Sequence, residues 1–149
     1  MSLRPLSSET VHASSVAIGG RAVLIGGRPG TGKSDLSLRL IDRGALLVSD
    51  DYTIVRRVQG LARAAAPETI IGKIELRGVG IVELETAQDV PVALFVDLDE
   101  RPERQPEPGE TRLVAGVAIP VLRLGGLEAS APLKVEAALR LFGSPRDRS

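Results

Sequence analysis

The sequence predicts a single α/β domain with a mixed, partly antiparallel sheet, several hairpins and few helices. Three observations carry this reading. An apolar run, Ala22-Val23-Leu24-Ile25, leads into Gly27-Arg28-Pro29-Gly30-Thr31-Gly32-Lys33-Ser34, a complete phosphate-binding loop, and then into Asp35–Ile41, whose apolar residues recur at helical spacing. Glycine-marked turns at Gly19-Gly20 and Gln59-Gly60 join strand-like runs into hairpins. Only two stretches have convincing helical periodicity, whereas 16 glycines and 10 prolines imply tight turns and short strands. A doubly wound nucleotide-binding domain would contain more helix, so a partly antiparallel sheet is expected.

Taken in order, Thr10–Ile18 alternates loosely and pairs across Gly19-Gly20 with Arg21–Ile25. The helix after the glycine loop closes at Gly44, behind Arg43. Ala45–Ser49 reads as a short buried strand running into Asp50-Asp51, and Thr53–Val58 with Leu61–Ala65 as a second hairpin. Ala66-Pro67 opens an irregular stretch that reaches Ile81. Val92–Asp97 is a buried strand, and Arg101–Thr111, with three prolines among alternating charges, is a surface loop. Val114–Leu124 is a strand candidate broken by Pro120. Ala131–Phe142 is a terminal helix with Ser130 as N-cap and Pro132 in its first turn. The domain is expected to span 1–149, with disordered ends at 1–9 and 144–149.

With 149 residues, 43% of them apolar, the chain can bury a core without staples. Aromatic residues make up 2%, so that core rests on Val, Leu, Ile and Ala. Formal net charge is zero and no basic block occurs, which argues against a nucleic-acid partner. There is no cysteine, hence no disulfide frame and no thiolate metal site. The absence of a leader-like or membrane-spanning apolar run makes a cytoplasmic address, away from membranes, the expectation.

The glycine loop predicts a bound nucleoside triphosphate. Its glycines let main-chain N–H groups close around phosphates at a helix N-terminus, Lys33 can reach the β- and γ-phosphates, and the Ser34 hydroxyl can hold Mg²⁺. Such a site also needs a carboxylate for the metal and a proton acceptor if phosphate goes to a hydroxyl. Asp97 and Asp50-Asp51 both end apolar strands, and spacing alone does not choose between them. Neighbouring strand residues face opposite ways, so both aspartates can serve one site only if the strand ends between them. Asp35 most simply stabilises the helix N-terminus.

His12, the loop Gly27–Ser34, the pair Asp50-Asp51 and the segment Ile74-Glu75-Leu76-Arg77-Gly78-Val79-Gly80-Ile81 together resemble the HPr kinase/phosphorylase family. The resemblance runs from about Val11 to Pro120, covers the family's catalytic domain, and is most similar to short alpha-proteobacterial members. It implies an HPr kinase/phosphoenolpyruvate carboxykinase-like domain that uses ATP and Mg²⁺. The family's metal ligands fall on Ser34 and Glu75, with Asp50 as the supporting acid near the metal. Its proton acceptor falls on Asp51, its lysine on Lys33 and its upstream histidine on His12, the sole histidine. A family arginine, placed in a loop before an Ile-Pro strand, maps onto Arg104, whose charge would offset that of the transferring phosphoryl group.

The implied activity is a protein serine kinase acting on the phosphocarrier HPr, in the regulation of carbohydrate metabolism; the implied assembly is a homo-hexamer. Two departures bear on this. Where longer members carry a Pro- and Arg-containing loop tied to dephosphorylation, this chain has Leu124-Gly125-Gly126-Leu127-Glu128, and its C-terminal helical segment is shorter. The kinase residues are thus all present, while phosphorylase activity and the hexamer are left open. Two other readings stay in view: a P-loop kinase with a different acceptor, and a non-catalytic ATP-sensing module.

Overall fold

The computed structural model describes residues 7–99, 109–125 and 127–145. Its strands are β1 (Ser8–Val11), β2 (Ala13–Ile18), β3 (Arg21–Gly26), β4 (Leu46–Ser49), β5 (Thr53–Val58), β6 (Leu61–Ala65), β7 (Lys73–Leu76), β8 (Gly80–Glu83), β9 (Val90–Asp97), β10 (Thr111–Val114) and β11 (Val117–Arg123). Two α-helices accompany them, α1 (Lys33–Asp42) and α2 (Ala131–Phe142), with a short 3₁₀ turn at Glu68–Ile70. Nine strands form one mixed sheet in the order β1-β5-β6-β9-β3-β2-β4, with β11 also on β9 and β10 on β11; β7 and β8 form a separate hairpin. β9 runs parallel to both β3 and β11, and the other pairings are antiparallel, as the hairpin-rich sequence predicts. None of the described helices is long and apolar enough to cross a membrane.

Period-two alternation divides the core between the two faces of the sheet. Along β3, Ala22 and Leu24 pack on one face with Val55, Phe95 and Ile119. Val23 and Ile25 point to the other face and meet Leu36 and Leu40 of α1 and Val135 and Leu139 of α2. The buried residues of α1 (Lys33, Leu36, Ser37, Leu40) follow the one-turn spacing that fixes a single inward stripe. Gly44, at φ 110°, ends the helix in the left-handed region that glycine enters most readily.

The structure departs from the sequence reading in several places. Ser8 and Glu9, expected in a disordered end, belong to β1 and pair with Arg56 and Val55. The single strand expected over Thr10–Ile18 is two strands. β1 pairs with β5, whereas β2 pairs with β3 and β4, and His12 is the residue left between partners. The irregular stretch that reaches Ile81 gives way from Lys73 to the β7–β8 hairpin, which ends at Glu83 and whose turn after Leu76 contains Gly78 at φ 82°. Pro120 does not break its strand. It lies opposite Thr111, and the next amide, Val121 N–H, bonds Glu110 O, so position 120 faces away from β10 while pairing with β9 begins only at Val121. The missing donor therefore falls between the two ladders. Ser130 occupies the N-cap of α2 but makes no side-chain cap bond.

Candidate active site

The loop between β3 and α1 has the conformation its glycines permit. At Gly27 a Cβ would lie 2.6 Å from Thr31 Oγ1, so only glycine allows that approach. Gly32, the N-cap of α1, sits at φ 98° and supplies no side-chain cap, which leaves the first-turn amides of α1 facing the loop. Lys33 is buried, and its Nζ donates to Gly27 O at 2.7 Å across the loop. Thr31 Oγ1 donates to Arg28 O at 2.7 Å, closing the loop from within.

Opposite stands the acid turn. β4 ends at Ser49, one residue before the pair, so neither aspartate is bound by strand alternation. Tyr52 N–H bonds Asp50 O at 2.7 Å, and Asp51 takes a φ of 67°, a turn conformation uncommon for a residue with a side chain. The two carboxylates consequently face different partners. Asp50 is buried, accepting from Ser34 Oγ at 2.7 Å and Ser14 Oγ at 3.2 Å on Oδ1 and from the Glu75 N–H at 3.0 Å on Oδ2. Asp51 is exposed, with Oδ1 at 2.9 Å from His12 Nε2 and 3.8 Å from Lys33 Nζ. The His12 ring stacks on Tyr52 at 4.8 Å between centroids.

Lys33, Ser34, Asp50, Asp51, His12 and Glu75 are thus brought to one place from four separate parts of the chain. Ser34 and Asp50 put two oxygens side by side, and the exposed Glu75 is tethered to the same Asp50 carboxylate through its main chain. Hard oxygen donors with so few carboxylates fit Mg²⁺, which keeps waters and completes its shell with phosphates. Among the described residues no group of three or more His, Cys, Asp or Glu side chains has metal-holding geometry by itself. Arg104 lies outside the described residues.

Asp97, the alternative strand-end acid, lies opposite Gly26 at the start of the loop, but its carboxylate is held by other partners. Its Oδ2 accepts from Arg112 at 2.8 Å and Arg123 at 3.3 Å, and its Oδ1 from the Asp99 N–H at 2.9 Å. Asp99 in turn accepts from both the main-chain N–H (2.7 Å) and Nε (3.0 Å) of Arg28. The Arg28 N–H above all, then the Arg28 side chain and the Lys33 charge, hold the Asp99 carboxyl below its ordinary range against an opposing effect of burial. Between this group and His12 opens a pocket of about 520 Å³, walled by Gly27–Pro29, Phe95 and Arg112, whose guanidinium lies 4.2 Å over the Phe95 ring. Sequence reasoning missed Ser14, Tyr52 and Arg112. For Ser14 there was a signal, two adjacent serines near the start of a strand whose other residues are apolar.

A glycine loop between strand and helix, set in a curled mixed sheet and faced by a paired acid turn, defines the P-loop kinase fold. Residues 5–91 match the family model described as HPr Serine kinase C-terminal domain, and the chain belongs to that family. It is 37% identical over 99 residues to the HPr kinase/phosphorylase of Alkaliphilus metalliredigens, covering 61% of this chain and 32% of that protein. To the HPr kinase/phosphorylase of Caldanaerobacter subterraneus subsp. tengcongensis it is 39% identical over 82 residues, 54% of this chain and 27% of that one. These matches therefore span about a third or less of the length of those relatives. The Hpr(Ser) kinase/phosphatase of Coxiella burnetii superposes with a TM-score of 0.76 at 28% identity, over 89% of this chain and 88% of that structure.

Proposed function

We propose that this protein is an ATP-dependent serine kinase that transfers the γ-phosphoryl group to a seryl hydroxyl of the phosphocarrier HPr, regulating carbohydrate metabolism from the cytoplasm. The observation that carries the reading is the division of labour in the acid turn. Asp50 is buried against Ser34, while Asp51 stands exposed within 3.8 Å of the loop lysine. In this reading one carboxylate serves a cation and the other an incoming hydroxyl.

In this reading the first-turn amides of α1 and Lys33 hold the phosphates, and Lys33 gives up its bond to Gly27 O to do so. Ser34, Asp50 and Glu75 hold Mg²⁺, which when bound neutralises charge on the phosphates. Asp51 accepts the proton of the seryl hydroxyl as its oxygen bonds the γ-phosphorus, and the bond from that phosphorus to the bridging oxygen of ADP breaks. His12, bonded to Asp51 and braced on Tyr52, fixes the direction of that carboxylate. In-line placement supplies most of the rate, because this chemistry asks little covalent work of the protein.

The test is incubation of the purified protein with ATP, Mg²⁺ and HPr, read by mass spectrometry for phosphoserine. Phosphoserine on HPr is the expected result. Bound nucleotide with no phosphoserine removes HPr as the acceptor, and no nucleotide binding removes the kinase. The same preparation, run on a sizing column, tests the family-like hexamer.

A further inference from the structure

Ser14 is fully buried in β2, where a hydroxyl left without a partner would be costly. Its hydroxyl is used twice. It donates to Asp50 Oδ1 at 3.2 Å and accepts the Asp51 N–H at 3.0 Å. Pairing between β2 and β4 slips between Ser15 and Val16 and stops at Ser49, so no main-chain ladder supports the residues that follow. There the Ser14 side chain takes over from the ladder. It grips both halves of the acid turn, including the Asp51 main chain at φ 67°, a conformation that persists only where its surroundings hold it.

We propose that Ser14 is a positioning residue, whose hydroxyl keeps Asp50 on Ser34 and Asp51 turned toward the loop lysine without itself touching substrate. This rests on the kinase reading above. The neighbouring Ser15 provides an internal comparison, since it is equally buried on the same strand but bonds Thr53 Oγ1 at 2.8 Å, not the acids.

The experiment compares Ser14→Ala and Ser15→Ala with the unsubstituted protein by three readouts: kcat, nucleotide affinity, and hydrogen exchange of the Asp51 amide by ¹⁵N NMR without ligands. Ser14→Ala is expected to lower kcat by about 10- to 100-fold, the range a misplaced catalytic group produces. Its nucleotide affinity should stay within about threefold, and the Asp51 amide should lose protection. Ser15→Ala should keep both kcat and that protection. Equal losses of kcat in the two variants, or a protected Asp51 amide in Ser14→Ala, would overturn the proposal. Should the unsubstituted protein transfer no phosphoryl group, the kinase reading fails separately, and the Asp51 amide alone then decides whether Ser14 sets the turn.

Discussion

His12 Nε2 lies 2.9 Å from Asp51 Oδ1, although 39 residues separate the two in sequence. The contact exists because the chain changes sheet partners at His12, between β1 and β2, at the height where β4 gives way to the acid turn. If Asp51 takes the substrate proton, Asp51→Asn keeps the shape and loses the base. We expect kcat to fall by about 10²- to 10⁴-fold, the usual worth of a positioned general base, with nucleotide affinity nearly unchanged. Steady-state kinetics beside calorimetric nucleotide binding separates the two quantities; a parallel loss of affinity would place Asp51 in binding instead.

Lys33 should show the opposite pattern. Its Nζ is buried and already bonded to Gly27 O, so Lys33→Met removes a charge-assisted donor and leaves an acceptor behind. A bond of that kind is worth about 1.5–3 kcal/mol, which corresponds to roughly a 10- to 150-fold weaker nucleotide complex. Calorimetry on the folded variant, with circular dichroism as control, reads it directly.

Gly26 closes β3 immediately before the glycine loop. A Cβ there would lie 2.7 Å from Phe95 Cζ, and Phe95 is itself held in the core under Arg112. Gly26→Ala is expected to cost about 1–3 kcal/mol, the usual penalty for overpacking. The midpoint of a urea transition should fall with its slope unchanged. An unaltered midpoint would mean that the ring moves freely aside.

Asp99 gives a pH prediction with a definite sign. Its carboxyl is held below the ordinary value of 3.8 in the folded state, chiefly by the Arg28 main-chain N–H. A depressed carboxyl contributes stability that is present above 3.8 and is lost as pH falls through the folded value. An NMR titration of Asp99 should therefore show a midpoint below 3.8. In Arg28→Ala it should rise only part of the way, since the main-chain donor, the larger cause, remains. Full reversion to 3.8 would assign the effect to the side chain.

Local order alone made much of the architecture legible. The strand–glycine loop–helix run, both glycine-marked hairpins and the terminal helix all depend on contacts between residues near in sequence, and each is found where periodicity and turn residues put it. The β7–β8 hairpin escaped because its strands are only four residues each and largely exposed, with Ile74 the one fully buried side chain in them, too little to set a period. Pro120 misled because its harmlessness depends on which ladder each amide faces, a property of pairing partners.

The sequence by itself determined that a phosphate-binding loop sits between a strand and a helix, since glycine stereochemistry and helical spacing are written in consecutive residues. Only the tertiary structure decided which acids meet that loop. Asp97 and Asp50-Asp51 both end apolar strands, but β9 delivers Asp97 to Arg112 and Arg123, whereas β4 delivers Asp50 to Ser34 and Asp51 to Lys33 and His12. The physical reason is that strand order brings both strand ends near the loop, Asp97 opposite Gly26 on the neighbouring β9 and the acid turn beyond β2. The partners met there therefore decide, and those come from segments far apart in the chain: Arg112 and Arg123 occupy Asp97, whereas Ser34, Lys33 and His12 face Asp50 and Asp51.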